Sequence, residues 1–184
     1  MTENSSLPNI MIHQVYSDSL YSSRGMPIFV LDNFRSAFNV GSVFRSVESI
    51  SPAAVFLTGT CCRPGNRKLS HTSRGTFASI PWRYFENIEK AALWVKNSGR
   101  MLVAVDNTPD ATPFWEASFD LSSGFLFGNE ADGVNRNVAD IADLRVYYPQ
   151  SGTRKCINVS STAAIIASEI QRRRMNAGSK SKGF

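Results

Sequence analysis

The chain has little of what marks a secreted, metal-bound or membrane-spanning protein. It holds three cysteines in 184 residues, and two of them, Cys61 and Cys62, are adjacent. That makes no disulfide framework, and a reducing, cytoplasmic setting is expected. The two histidines, His13 and His71, lie far apart, and neither CxxC nor HxxxH spacing occurs. No metal site is therefore expected, and a Ser–His–Asp site would lack a suitably placed histidine. No apolar run approaches the roughly 20 residues that cross a bilayer. The opening residues, MTENSSLPNIMIHQ, lack a basic segment followed by an apolar one, so a secretory leader is not expected. Three fingerprints are missing as well: GxGxxG after a first strand, GxxxxGK followed by Ser or Thr, and the GxSxG elbow of the α/β hydrolases.

What is present is an ordinary apolar content of 42% and a net charge of +5. The length suits one compact domain. From Arg172 onward there are basic residues and no acid, and a second acid-free basic run holds Arg63, Arg67, Lys68 and Arg74. Two such runs fit a polyanion partner, because neutralising phosphates releases counterions. The expected organisation is an N-terminal arm over 1–26, one domain over 27–176 and a basic flexible tail over 177–184.

Strands and helices alternate along the domain. Apolar runs predict strands at Pro27–Leu31, Ala54–Leu57, Met101–Asp106, Gly124–Phe127 and Leu144–Tyr148, with a short one at Ile80–Trp82. Asn39 is read as an N-cap for a helix over Val40–Ile50. Its apolar face would be Val40, Val43, Phe44 and Val47, and its polar face Ser42, Arg45, Ser46 and Ser49. Further helices are expected over Glu86–Ser98, around Val134–Ala142, and from Val159, where Val159, Ala163, Ile166 and Ile170 recur at helical spacing. Arg172, Arg173 and Arg174 are expected to close that last helix. Gly59–Gly75 reads as a long loop, and Thr108–Phe119 as a crossover or a short helical turn. Continuous apolar strands between helices predict an α/β fold, a mostly parallel sheet with helices on both faces.

In such a sheet ligands bind at the carboxyl ends of the strands. The segments that follow them carry Asn39, Arg45, Asn129, Glu130 and Asn158 and many glycines. One arginine, one glutamate and several asparagines suit binding and electrostatic stabilisation better than metal or covalent chemistry. Gly128, directly after a strand, would let the backbone approach a flat ligand.

Three stretches resemble the SpoU/TrmH branch of the SPOUT superfamily, RNA ribose 2′-O-methyltransferases. Asn39-Val40-Gly41-Ser42-Val43-Phe44-Arg45 resembles the motif NxGxxxR. FLFGNEADG, ending at Gly133, resembles a strand followed by GxExxG. Pro149–Gly152 and Cys156-Ile157-Asn158-Val159-Ser160 resemble PxxG followed by SLNVS. Ser73 and Gly75 match a further KTSxGA segment. The likeness covers roughly Pro27–Arg174. It implies a C-terminal trefoil knot and S-adenosylmethionine (AdoMet) as cofactor, held near Val105, Gly128, Tyr148 and Ile157. It also implies a homodimer whose site joins the first motif of one subunit to the other two motifs of its partner. The implied reaction is methyl transfer to a ribose 2′-hydroxyl of tRNA or rRNA, with Arg45, Asn39, Glu130 and Asn158 as catalytic residues. Arg63, Arg67, Lys68 and Arg74 would contact RNA. A guanidinium is effectively never deprotonated, so Arg45 suits a phosphate and a developing oxyanion better than the role of base. Cys156 stands where the family has Ser, and a thiol is the poorer hydrogen-bond donor. It is the feature that keeps open an alternative, a catalytically weak RNA-binding protein of the same fold. Tyr148, beside the implied adenosyl site, is expected to stack on the base.

Overall fold

The computed structural model describes residues 21, 25–129, 132–153 and 157–180. Glu130, Cys156 and nearly all of the expected N-terminal arm lie outside them. Seven strands form one sheet: β1 (Ile28–Asp32), β2 (Ala54–Thr58), β3 (Trp82–Phe85), β4 (Leu102–Val105), β5 (Thr112–Pro113), β6 (Gly124–Phe127) and β7 (Leu144–Tyr147). Their order is β3-β2-β1-β6-β4-β7-β5, and every named pairing is parallel.

The sheet separates two apolar layers, which explains why its strands read as unbroken hydrophobic runs. Phe29, Leu31, Val55, Leu57, Val103, Phe125, Phe127 and Val146 face one side. There they meet Val40, Val43, Phe44 and Val47 of α1 (Ala37–Glu48) and Ala163, Ile166 and Ile170 of α5 (Val159–Lys180). Ile28, Val30, Ala54, Phe56, Leu102, Ala104 and Leu126 face the other side. They pack on α3 (Ile88–Asn97) and on Val138 of α4 (Arg136–Asp140). The expected apolar face of α1 is buried, and so is that of α5 apart from half-buried Val159.

Several boundaries move, each for a local reason. Ser36, not Asn39, caps α1: it is extended, and its Oγ accepts the Asn39 N–H at 3.4 Å. Asn39 thus sits in the first helical turn. The expected loop at Gly59–Gly75 contains α2 (Arg67–Ser73), whose cap is Asn66, accepting from the N–H groups of Lys68 and Leu69. Leu69 is the one large apolar side chain that α2 buries, too little to give a helical period. Glycine at 41 lets α2 pack this closely on α1. A Cβ there would lie 2.8 Å from Thr72 Cβ and 3.0 Å from the Ser73 nitrogen. The third strand is shifted to Trp82–Phe85, and Thr108–Phe119 supplies the edge strand β5. Ile141 is exposed beyond the end of α4.

Arg172–Arg174 do not end α5, which continues to Lys180, so the expected tail boundary at 176 falls inside the helix. Arg172 and Arg173 pair with the buried Glu169, at 2.7 Å each. Arg173 also donates to the carbonyls of Phe114, Trp115 and Ala117 and lies 4.0 Å over the Phe119 ring. Arg174 donates to the carbonyls of Ile50, Gly25 and Pro52. Two of the three cations expected to contribute to a polyanion surface are instead occupied in fastening α5 to the body.

Candidate active site

β6, β4 and β7 are neighbours, and their carboxyl ends are level: Phe127 pairs with Val105, and Val105 with Val146. The chain leaving each strand forms one wall of a cleft of about 200 Å³. Val105, Asp106 and Asn107 come from β4; Phe127, Gly128, Asn129 and Gly133 from β6; Tyr147, Tyr148 and Gln150 from β7. Ile157, Val159 and Thr162 close it from the start of α5. All four residues expected at the cofactor, Val105, Gly128, Tyr148 and Ile157, line this one cleft.

The segment after β6 folds back on itself. The Gly133 N–H donates to the Asn129 carbonyl, and the Asp132 N–H to Asn129 Oδ1, both at 3.0 Å. Gly128 is required for this fold, a reason for glycine there beside the approach to a ligand expected above. A Cβ at 128 would lie 1.9 Å from the Gly133 carbonyl oxygen. Gly133 has φ +67, a left-handed conformation that favours glycine. Asp106 braces the same turn, accepting the Val134 N–H at 3.3 Å and the Asn107 N–H at 2.8 Å. Asp106, Asn107 and Gln150 were missed as individual site residues. Their one sequence signal is position, immediately after a buried strand.

Asn158 joins the first and third motifs. Its Nδ2 donates to Asn39 Oδ1 at 3.1 Å. Its Oδ1 accepts from the Ser160 N–H and hydroxyl at 2.9 and 2.6 Å, and its carbonyl accepts from Ser161 and Thr162. It is therefore at once the cap of α5 and a bridge to α1.

Arg45 lies elsewhere. It is exposed on the polar face of α1, in a hollow shared with Ser42, Ser46, Glu48 and Thr76, and is not among the described residues lining the cleft. Thr76 directly follows Arg74 and Gly75, so the hollow adjoins the basic segment. Arg63, Arg67, Lys68 and Arg74 are all exposed. Arg63 stacks 4.4 Å over the Tyr84 ring, and Arg67 and Lys68 open α2.

The segment between β1 and α1 is held to the end of β2 by a hydrogen-bond network. Asp32 ends β1 and accepts from Thr58 Oγ1 at 2.9 Å and from Asn33 Nδ2 at 2.7 Å. Burial pushes its carboxyl above the usual range, partly offset by the Thr58 bond, while Glu89 adds to the rise. Asn33 Oδ1 accepts from both the N–H and the hydroxyl of Thr60. Cys61 caps the Phe34 N–H through Sγ at 3.1 Å, and burial raises its thiol to about 11. It is a structural, unreactive cysteine.

The chain is similar to known proteins. A putative TrmH family tRNA/rRNA methyltransferase of Staphylococcus epidermidis is 24% identical over 159 residues, covering 86% of this chain and 64% of that protein. The tRNA (guanosine(18)-2′-O)-methyltransferase of Thermus thermophilus is 28% identical over 152 residues, covering 81% of this chain and 76% of that one. The crystal structure of the SpoU methyltransferase AviRb from Streptomyces viridochromogenes in complex with AdoMet shares the fold. Its TM-score is 0.75 at 23% identity, over 83% of this chain and 59% of that one. The chain thus spans less than two thirds of the S. epidermidis and AviRb proteins. The SpoU rRNA Methylase family matches residues 26–168, a span that takes in the α1 motif, the turn after β6 and the junction of β7 with α5. On that match, and on a parallel sheet whose three neighbouring strand ends make the cleft, the chain belongs to the SpoU rRNA Methylase family.

Proposed function

We propose that the protein transfers a methyl group from AdoMet to a ribose 2′-hydroxyl of tRNA or rRNA. One observation carries this reading: the four residues that the family likeness assigns to the cofactor come from four separate segments and line a single cleft. The cleft also suits the group chemically. It offers half-buried Tyr148 and buried Phe127 beside an adenine, and Asp106, Asn107 and Gln150 for hydroxyl and amino groups. AdoMet supplies an electrophilic methyl on a sulfonium. The protein must hold the ribose oxygen in line with it, so that the O–C bond forms as the C–S bond breaks. Such positioning supplies much of the rate. Arg45 stabilises the phosphate and the developing oxyanion electrostatically, and the hydroxyl proton passes to solvent. Asn39 and Asn158 hold each other, and Asn39 and Glu130 position Arg45 and the ribose.

Because Arg45 stands apart from the cleft of its own chain, the working site is a composite of two subunits. A homodimer is supported by the exposed Phe38 and Met175, 61% and 67% accessible. It is supported too by a groove of about 410 Å³ between α1 and α5, lined by Ser46, Ser49, Ile50, Ala164, Ser168 and Met175 among others. A C-terminal knot is supported by the sheet order, in which β7 enters between the earlier strands β4 and β5. Arg63, Arg67, Lys68 and Arg74 hold the RNA backbone. An RNA substrate and the free thiols of Cys61 and Cys62 suit the cytoplasm.

The test is labelled-methyl transfer to bulk RNA. Arg45→Ala loses transfer by about 100-fold or more and keeps AdoMet binding; full activity in that variant would defeat the assignment. Gly128→Ala loses AdoMet binding, since the new Cβ overlaps the Gly133 carbonyl. Mixing the two inactive variants restores part of the activity if the site is composite, and none if each chain works alone.

A further inference from the structure

Three aromatic rings stand together at one rim of the cleft. Tyr148 lines it. Phe114, buried, lies 6.1 Å from Tyr148, and Trp115 lies 6.0 Å from Tyr148 in a T-shaped contact at 86°. Trp115 stays 44% exposed and is not part of the cleft lining. The other two tryptophans behave differently: Trp82 and Trp94 are half-buried and packed against the two apolar layers.

The backbone under Trp115 is tied from both sides. The Phe114 N–H donates to the Tyr147 carbonyl at 3.0 Å, and Glu116 and Ala117 both donate to the Pro113 carbonyl. From α5, Arg173 donates to the carbonyls of Phe114, Trp115 and Ala117. Arg173 itself is held by Glu169 and the Phe119 ring. An indole is thus presented to solvent on a fixed support, at some loss of burial. Its ring contacts with Tyr148 and Phe114 are both T-shaped rather than stacked, and 44% of its surface stays open to a flat partner.

We propose that Trp115 is a stacking platform for an unpaired nucleobase of the RNA at the mouth of the cleft. The inference rests on the methyl-transfer reading, which puts a ribose at that mouth and its base within one nucleotide of it. The occupant is a base of the RNA and not the adenine of the cofactor, because Trp115 stands outside the cleft that Tyr148 lines. Stacking on an aromatic side chain tolerates any base and suits unstacked single-stranded nucleotides.

Steady-state methylation of bulk RNA and calorimetric AdoMet binding test this in the full chain, for wild type, Trp115→Ala and Trp115→Phe. Trp115→Ala should raise KM for RNA by roughly tenfold, with kcat and the AdoMet Kd little changed, and Trp115→Phe should recover most of the loss. An unchanged KM in Trp115→Ala overturns the stacking role. So does an AdoMet Kd that weakens in step with KM, since Trp115 would then only brace Tyr148. If wild type binds no AdoMet and methylates no RNA, the parent reading falls and the inference with it; if wild type is active, only the stack is at stake.

Discussion

Gly41 stands at the contact of two helices in the first motif, and its role is steric. Alanine is the better helix former by about 1 kcal/mol. Its Cβ, however, would press on Thr72 Cβ and the Ser73 backbone nitrogen at 2.8 and 3.0 Å, neither of which is a flexible chain end. Overpacking of this kind costs about 1–3 kcal/mol, so the clash wins or cancels the propensity gain. Gly41→Ala should lower the thermal midpoint by about 2–6 °C, measured by circular dichroism. A raised midpoint would show that α2 shifts freely. Gly128 shows how far a sequence takes one here. Its position after a buried strand marks it as special, but the reason, the Gly133 carbonyl folded over it, depends on a turn five residues on. Asn39 shows the same limit. Its residue type suits a cap, yet Ser36 has the extended backbone and takes the role, which frees the Asn39 side chain for Asn158.

α5 is the element on which the site depends most. Its N-terminus closes the cleft through Ile157, Val159 and Thr162, and its middle is fastened by arginines. Its apolar face was legible because Ala163, Ile166 and Ile170 keep a strict period. The use of Arg173 and Arg174 was not, because the carbonyls they reach lie more than 50 residues away in the chain. Asn158→Ala removes both the cap and the bridge to Asn39. It should cost about 1 kcal/mol in denaturant unfolding and lower methyl transfer more than it lowers AdoMet binding. An equal loss of both would assign Asn158 to the cofactor instead. Glu169 sets a pH limit. The Arg172 bond, then Arg173, holds its carboxyl at about 2, below its ordinary 4.5. A depressed acid stabilises the fold fully above about pH 4.5, and that contribution is lost as pH falls toward 2. Urea unfolding of Glu169→Gln should therefore show a deficit on the order of 2 kcal/mol at pH 6. The deficit should shrink at pH 3. A deficit that stays constant with pH would rule out the ion pairs as its source.

At the scale of the whole molecule, the layered α/β sheet was legible because every central strand is apolar on both sides. The strand order was not. Local pattern places β4, β6 and β7 in the chain, but tertiary packing sets them side by side, and only then do three loops become one cleft. Arg45, two turns along α1, is not among the described residues lining that cleft, which is why the proposed reaction takes the Arg45 side of the site from a second copy of the chain. The proposed chemistry is at the ribose, and the position of the transferred methyl is its sharpest test. RNA is incubated with the protein and AdoMet carrying a labelled methyl, then hydrolysed in alkali, which cannot cleave beside a 2′-O-methylated ribose. Label is expected in alkali-resistant dinucleotides that yield a 2′-O-methylnucleoside on enzymatic digestion. Label in a methylated base, or no transfer while AdoMet still binds, would contradict it.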